Sequence, residues 1–387
     1  MVEVYWQALT RDVPFADYAS NSSIAAAVGD LNNKTHQIGP VVGGRLTPAS
    51  LFRGTSAGDL IGPYISQFLL KDIPYGPTSI AQRYKQPVAG SDYMKVWEEY
   101  LAIQNGRLPT RADVLDATPR YIYNGRALAN WVHSDFSYQA FLNAALIALG
   151  YGRGALSSTN PYLSSANQGN FIDFGGPDIL NQVAMAARVG LAGAWFQKWQ
   201  VHRRLRPEVM AARAEIDRGL PEPRYLVHGE IANSVAASRL LSAQGNILLP
   251  MAFPEGSPTH PAYPAGHAAI AGACTTVLGL QSGFRNSGIQ CRPAATALRW
   301  KPSTRRSSSA MNSTAGVEHL RRSRHRRSAL SQRRHRGHAA RRAGGHRPAA
   351  RLQPELSRVF RRLFAAALRR QQRAHPQWRG NAGLIAG

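Results

Sequence analysis

An all-α bundle with long loops is the fold that the sequence predicts. Three observations carry this. Apolar residues recur at helical spacing through long windows, strict strand-type alternation is scarce, and Gly/Pro/Ser/Asn-rich stretches separate the apolar runs. The 387 residues are 44% hydrophobic and 9% aromatic, enough for one large core or two ordinary ones. No internal repeat is present.

The elements follow in order. Val4, Tyr5, Ala8 and Leu9 share helical spacing at the very start with no capping residue before them. So abrupt a beginning is expected to follow a missing upstream part. Residues 22–32 predict a short helix ended by Asn-rich sequence, and the Gly/Pro-rich stretch 39–64 predicts a loop. Residues 91–104 read as a helix carrying Val96, Trp97, Tyr100 and Leu101. Residues 125–149 form one long amphipathic pattern through Leu128, Trp131, Val132, Phe136, Phe141, Ala145 and Leu146. A Ser/Asn/Gly loop spans 151–177, and a second long helix, 178–205, is stopped by Pro207. A further helix is expected at 226–244, a Pro/Gly-rich loop at 250–266 and an apolar helix at 267–278.

Charge is distributed very unevenly. The 47 Lys+Arg against 22 Asp+Glu give +25, a balance that suits a polyanion binder. Residues 301–387 hold 22 of the basic and 2 of the acidic side chains, a net of +20, and leave residues 1–300 at +5. A nearly neutral body, 1–280, therefore precedes an Arg-rich segment, 281–387, and the two need separate explanations. Cys274 and Cys291 are too few for a disulfide framework or a Cys-type zinc site. The first seven residues show no basic region followed by an apolar run, so no signal peptide is expected and the compartment stays open. No uninterrupted run of about 18 apolar residues predicts a spanning helix.

Two segments carry chemistry. Lys198-Trp-Gln-Val-His-Arg-Arg-Leu-Arg206-Pro207 closes the long helix. Lys198 and Arg206 are eight apart, a little over two helical turns, so both are expected to lean to one side. An ammonium point charge and a guanidinium fork suit a tetrahedral oxyanion. Taken alone, the segment is more commonly explained as a solvated basic helix end, favoured by the helix dipole. The second segment is Ser257-Pro-Thr-His260-Pro-Ala-Tyr-Pro-Ala265-Gly266-His267, a Pro-rich loop feeding an apolar helix. Gly266 lets backbone approach a ligand closely, and the N–H groups of a helix start attract anions. His267 at that start is placed for proton exchange with a bound oxyanion, and His260 lies seven residues earlier.

Lys-x7-Arg-Pro followed by His-Pro-x-Tyr-Pro-x-Gly-His resembles the vanadium-dependent haloperoxidases. These belong to a superfamily with the type 2 phosphatidic-acid phosphatases and bacterial acid phosphatases. The similarity is strongest to the algal and bacterial bromoperoxidase branch. Tyr5–Ser20, Phe52–Phe68 and Trp195–Arg204 also look like that branch, so the resemblance covers about residues 1–280. It implies a helical bundle that holds vanadate, a phosphate mimic. Lys198 and Arg206 would neutralise the equatorial oxygens, and the Gly266 N–H would add a hydrogen bond. His267 would be the acid–base residue, His260 would tune the peroxide and halide side, and Trp195 would line the halide pocket. The implied small molecules are halide, most often bromide, hydrogen peroxide and an organic acceptor. The branch forms large assemblies, so a homo-oligomer is expected, with no membrane partner and no specific nucleic acid. Ala265 stands where many members have Ser, which would remove one hydrogen bond to vanadate, of order 1 kcal/mol.

One departure is larger. The family's second Arg, and the His that bonds vanadium covalently, lie in a segment like Gly-Arg-x-x-Gly-x-x-His-x-Arg-Ser-Asp, which residues 268–387 do not contain. No metal-ligating residue is therefore identified in this chain. The segment after Lys301 has no Lys, Asp or Tyr, the composition of GC-rich coding sequence read out of frame. Codons permitted for Glu318–Arg334, shifted by one base, encode Asn-Ile-Ser-Val-Gly-Arg-Val-Ile-Gly-Gly-Val-His-Tyr-Arg-Ser-Asp. This is the missing segment. Its Arg overlaps Ser323 and Arg324, and its His overlaps Ala329 and Leu330. The expectation is a frame slip between about residues 279 and 290, a disordered tail beyond it and an impaired enzyme. A phosphatase of the same superfamily, and a nucleic-acid-binding protein acting through 301–387, are the rival expectations.

Overall fold

The computed structural model describes residues 1–35, 39–54, 60, 64–107 and 111–281, together with two short strands at 290–293 and 300–303. All lie in the unit Met1–Arg326. The rest of the Arg-rich segment, and with it most of the expected frame-slip region 279–290 and the off-frame segment 318–334, lies outside the described residues.

The described residues are mostly helical. In order they form α1 (Val2–Leu9), α2 (Ser22–Asn32), β1 (Ile73–Tyr75), β2 (Thr78–Ile80), α3 (Trp97–Gln104), α4 (Gly125–Ser134), α5 (Gln139–Gly150), α6 (Gly176–Phe196), α7 (Pro207–Arg218), α8 (Val235–Gln244), α9 (Gly266–Gln281), β3 (Gln290–Pro293) and β4 (Trp300–Ser303). The strands make two antiparallel pairs, with Pro74 opposite Ser79 and Arg292 opposite Lys301. The β3–β4 pair falls within the segment expected to be an unstructured tail.

Local chemistry explains the helix starts. Asn21 accepts hydrogen bonds from the Ser23 and Ile24 amides, Asn124 from Ala127 and Ser234 from Ala237. Each removes an orphan donor of a first turn. Gly245 closes α8 in the left-handed region at φ 75°, where glycine pays no Cβ penalty.

Two clusters of apolar side chains hold the bundle. Phe141, Ala145, Ile179, Val183, Ala187, Ile270, Cys274 and Leu278 join α5, α6 and α9. Each large member contributes roughly 1.5–3 kcal/mol by leaving water. α6 and α9 approach closely at Gly190, where a Cβ would sit 3.2 Å from the Ala269 carbonyl oxygen. The second cluster joins α1, α2 and α8 through Tyr5, Trp6, Ile24, Leu31 and Leu240. Asp30 fixes it by accepting from the Trp6 indole at 2.8 Å and from the Ala236 amide at 3.2 Å.

Four sequence expectations are corrected. The helix expected from residue 91 begins at Trp97, because Tyr93 pairs with Met251 and Met94 takes a positive φ of 60°. Val96 and Leu101 are exposed. The run 125–149 is two helices, broken where Asp135 is extended and Ser137 turns left-handed at φ 57°. Phe136, expected to be apolar core, is exposed in that break. The helix expected at 226–244 starts only at Val235, since Ser234 caps it. The helix expected to run to 205 leaves regular geometry at Gln197.

Candidate functional site

That last departure shapes the site. After Phe196 the chain makes a wide π-helical turn, Gln197–His202, closed by the Arg203 amide donating to the Lys198 carbonyl at 2.9 Å. Single π turns interrupt helices frequently at functional sites. Arg203 then turns left-handed (φ 43°, ψ 43°), and the chain is extended at Arg206. Lys198 and Arg206 therefore do not share one straight helix face, as their spacing suggested. Arg206 is instead the N-cap of α7, with Pro207 as its first residue.

Lys198 is withdrawn from water and Arg206 is half-buried. Lys198 is 1% exposed, and its ammonium donates to the Pro261 carbonyl at 2.7 Å. Burial first, and Arg206 second, lower its pKa to about 8. Arg206 keeps a buried Nε with no hydrogen-bond partner among the described residues, and burial lowers its pKa as well. Neither forms an ion pair among the described residues. A buried guanidinium donor without an acceptor is costly unless a ligand supplies one.

The Pro-rich loop closes over these cations. The Ala262 amide donates to the Arg204 carbonyl at 3.0 Å. His260 packs its ring against Trp195, with centroids 4.7 Å apart. Burial, together with the Lys198 and Arg206 charges, lowers the His260 pKa. Trp195 also lies under the Lys198 ammonium, 5.8 Å from the ring centroid. Gly266 opens α9, and the first ladder bond comes only at Ala269 N to Ala265 O, 3.1 Å. The amides before it point out of the helix start. A Cβ on Gly266 would lie 3.0 Å from Leu191 Cδ1 and 3.4 Å from Trp195 Cζ3, so glycine leaves room there for close approach. Ala265 is buried beside it.

His267 is held by a carboxylate. Its Nε2 lies 2.9 Å and 3.2 Å from the two carboxylate oxygens of Asp135, the residue that ends α4. Asp135 was not foreseen. The one available signal was a Ser-Asp pair inside an otherwise amphipathic run, and an exposed helix face has the same look. A second carboxylate was also missed. Glu208, two residues past Arg206, is buried, accepts from the Ser257 hydroxyl at 2.9 Å, and has its pKa raised by burial. Among the described residues no His/Cys/Asp/Glu group has metal-binding geometry. No helix there is long and apolar enough to cross a membrane.

The arrangement suits a tetrahedral oxyanion. Two desolvated cations, one with an unpartnered donor, sit beside a glycine-led helix start, and a carboxylate-oriented imidazole follows. Nothing in this donor set conflicts with vanadate.

Known proteins match this description. No family model matches the chain. The vanadium-dependent bromoperoxidase of Ascophyllum nodosum is 34% identical over 315 residues, covering 76% of this chain and 55% of that protein. That of Corallina pilulifera is 30% identical over 351 residues, covering 75% and 58%. Among solved structures, a homohexameric second vanadate-dependent bromoperoxidase from Ascophyllum nodosum is similar at a TM-score of 0.70 and 30% identity, over 82% of this chain and 60% of that one. The chain thus spans between half and two thirds of the length of these relatives.

Proposed function

On the premise that this chain is a homologue of the vanadium-dependent bromoperoxidases, with their helical fold, we propose that it carries their vanadate cradle and is read from an enzyme that oxidises bromide with hydrogen peroxide to hypobromous acid. The observation that carries this is buried Lys198 together with half-buried Arg206, whose buried Nε has no hydrogen-bond partner, neither cation forming an ion pair among the described residues. The relatives' names supply the cofactor and the halide. When bound, vanadate supplies a Lewis acid that activates hydrogen peroxide toward halide.

The residues have separable tasks. Lys198 and Arg206 neutralise the oxyanion, and the Gly266 amide adds a donor at the α9 start. These groups are fixed before anything binds, so no reorganisation opposes charge build-up. Asp135 accepts from His267 Nε2–H, which fixes the ring and leaves Nδ1 as the atom that takes and returns a proton. His260 is held neutral near pH 7 by burial and the two cations, so it adds no further charge. Trp195 walls the halide side with an apolar face. The homohexameric relative supports a homo-oligomer here.

The reading includes an impairment. Residues 268–387 lack the family-type His-x-Arg-Ser-Asp sequence, so the covalent vanadium ligand is missing from the chain as written. The codons for 318–334 test this, since a one-base shift must encode that sequence. Activity is tested by bromide-dependent bromination with and without added vanadate. The whole, in-frame enzyme requires vanadate, whereas a phosphatase on the same cradle is inhibited by it and brominates nothing.

A further inference from the structure

Asp135 has a second neighbourhood. Besides His267, it lines a cavity of ≈ 460 Å³ between α4, α5 and the extended segment 80–85. Small-molecule sites have volumes of this order.

The walls are chemically sorted. Arg83 and Lys85 are two apart on extended backbone, so they point to the same side, and both are exposed. Tyr84 between them turns inward, its hydroxyl donating to the Ala127 carbonyl at 2.6 Å and its backbone pairing with Arg120. Trp131 and Ser134 are three apart on α4 and stand on one face. Neither Arg83 nor Lys85 forms an ion pair among the described residues. Asp135 is the acidic residue of the lining, and its carboxylate is engaged by His267. The cavity therefore combines two exposed cations at its rim, Arg83 lying 6.0 Å from the Tyr121 ring centroid, with an indole in its wall.

We propose that this cavity binds a small aromatic anion, its ring against Trp131 and its charge toward Arg83 and Lys85. A bare inorganic anion would leave most of the volume to water and make no use of the indole. A neutral aromatic would make no use of the charge on either cation. Neither Lys198 nor Arg206 lines this cavity, which meets the cradle through the Asp135–His267 pair, and the proposal does not depend on haloperoxidase activity.

The test is calorimetric titration of the full chain with benzoate, with benzamide as the neutral control. Benzoate is expected to bind once per chain, at least tenfold tighter than benzamide, and more weakly as salt rises. The double variant Arg83→Glu/Lys85→Glu alters only exposed side chains and should lose at least tenfold in benzoate affinity. Trp131→Leu should lose severalfold, and Lys198→Met should lose none. Absence of saturable binding, equal affinity for benzoate and benzamide, or an unchanged affinity in the double variant would each overturn the proposal.

Discussion

Arg126 and Lys198 are both buried cations, 2% and 1% exposed, but their surroundings differ. Arg126 on α4 is gripped by Asp12 and by Asp92, the latter at 2.8 Å, and these carboxylates raise its pKa despite burial. Arg11 joins the same group through Asp92 at 3.2 Å. Charge there is compensated inside the protein, and the cluster ties the end of α1 to the start of α4. Around Lys198 and Arg206 no carboxylate closes an ion pair among the described residues: burial lowers both pKa values, and the charge of Glu208 offsets this only in part at Arg206. The lesson is that a buried cation answered by the fold holds structure together. One without an ion-pair partner costs stability and is suited to receive an anion.

The sharpest way to break this comparison is to delete each cation. Arg126→Met leaves Asp12 without its ion pair and Asp92 with Arg11 alone, and a loss of about 3 kcal/mol is expected, discounted for the partial exposure of Asp12. Lys198→Met removes an uncompensated charge, so in anion-free buffer stability should change by less than about 1 kcal/mol or rise. Urea unfolding midpoints of the two variants read the difference. Equal losses would erase the distinction between the regions.

Alkaline pH sharpens it further. Lys198 falls from 10.5 to about 8 on folding. Between those values the unfolded chain binds a proton that the native one has released, so native stability gains as pH rises through this window. Below about pH 8 both states are protonated and the full burden of the buried charge is present. Oxyanion affinity should move the opposite way, weakening by up to tenfold per unit above about pH 8. Lys198→Arg should remove that weakening, because a guanidinium keeps its proton. Titrations with phosphate between pH 7 and 10 read both.

Smaller effects probe the cradle's walls. Gly266→Ala places a methyl 3.0 Å from Leu191 Cδ1 and should cost about 1–2 kcal/mol while displacing Trp195, visible as a change in indole fluorescence. Ser257→Ala deletes one hydrogen bond to buried Glu208 and should cost about 1 kcal/mol in thermal unfolding.

Much of this was legible in the sequence, and the illegible parts share a cause. α2 and α9 follow from apolar spacing beside an Asn-rich end and a Pro/Gly-rich entrance, which are local signals. The site motif was legible because Lys198, Arg206, Gly266 and His267 fall in two short segments. The break at Asp135 was not, because it contains no Gly or Pro and the apolar pattern continues through Phe136. Only the tertiary demand of His267, 132 residues away, gives that break a purpose. The relation of Lys198 to Arg206 was misjudged for a similar reason. A π turn and a left-handed Arg203 carry no residue signature, so spacing alone projected a straight helix.

The most direct test is titration of the full chain with orthovanadate, followed by vanadium resonance and by calorimetry. One saturable site is expected per chain, and the double variant Lys198→Met/Arg206→Met should abolish it while folding normally. Vanadate binding that survives in the double variant, or no binding by the parent chain, would contradict the assignment of these two buried cations to an oxyanion.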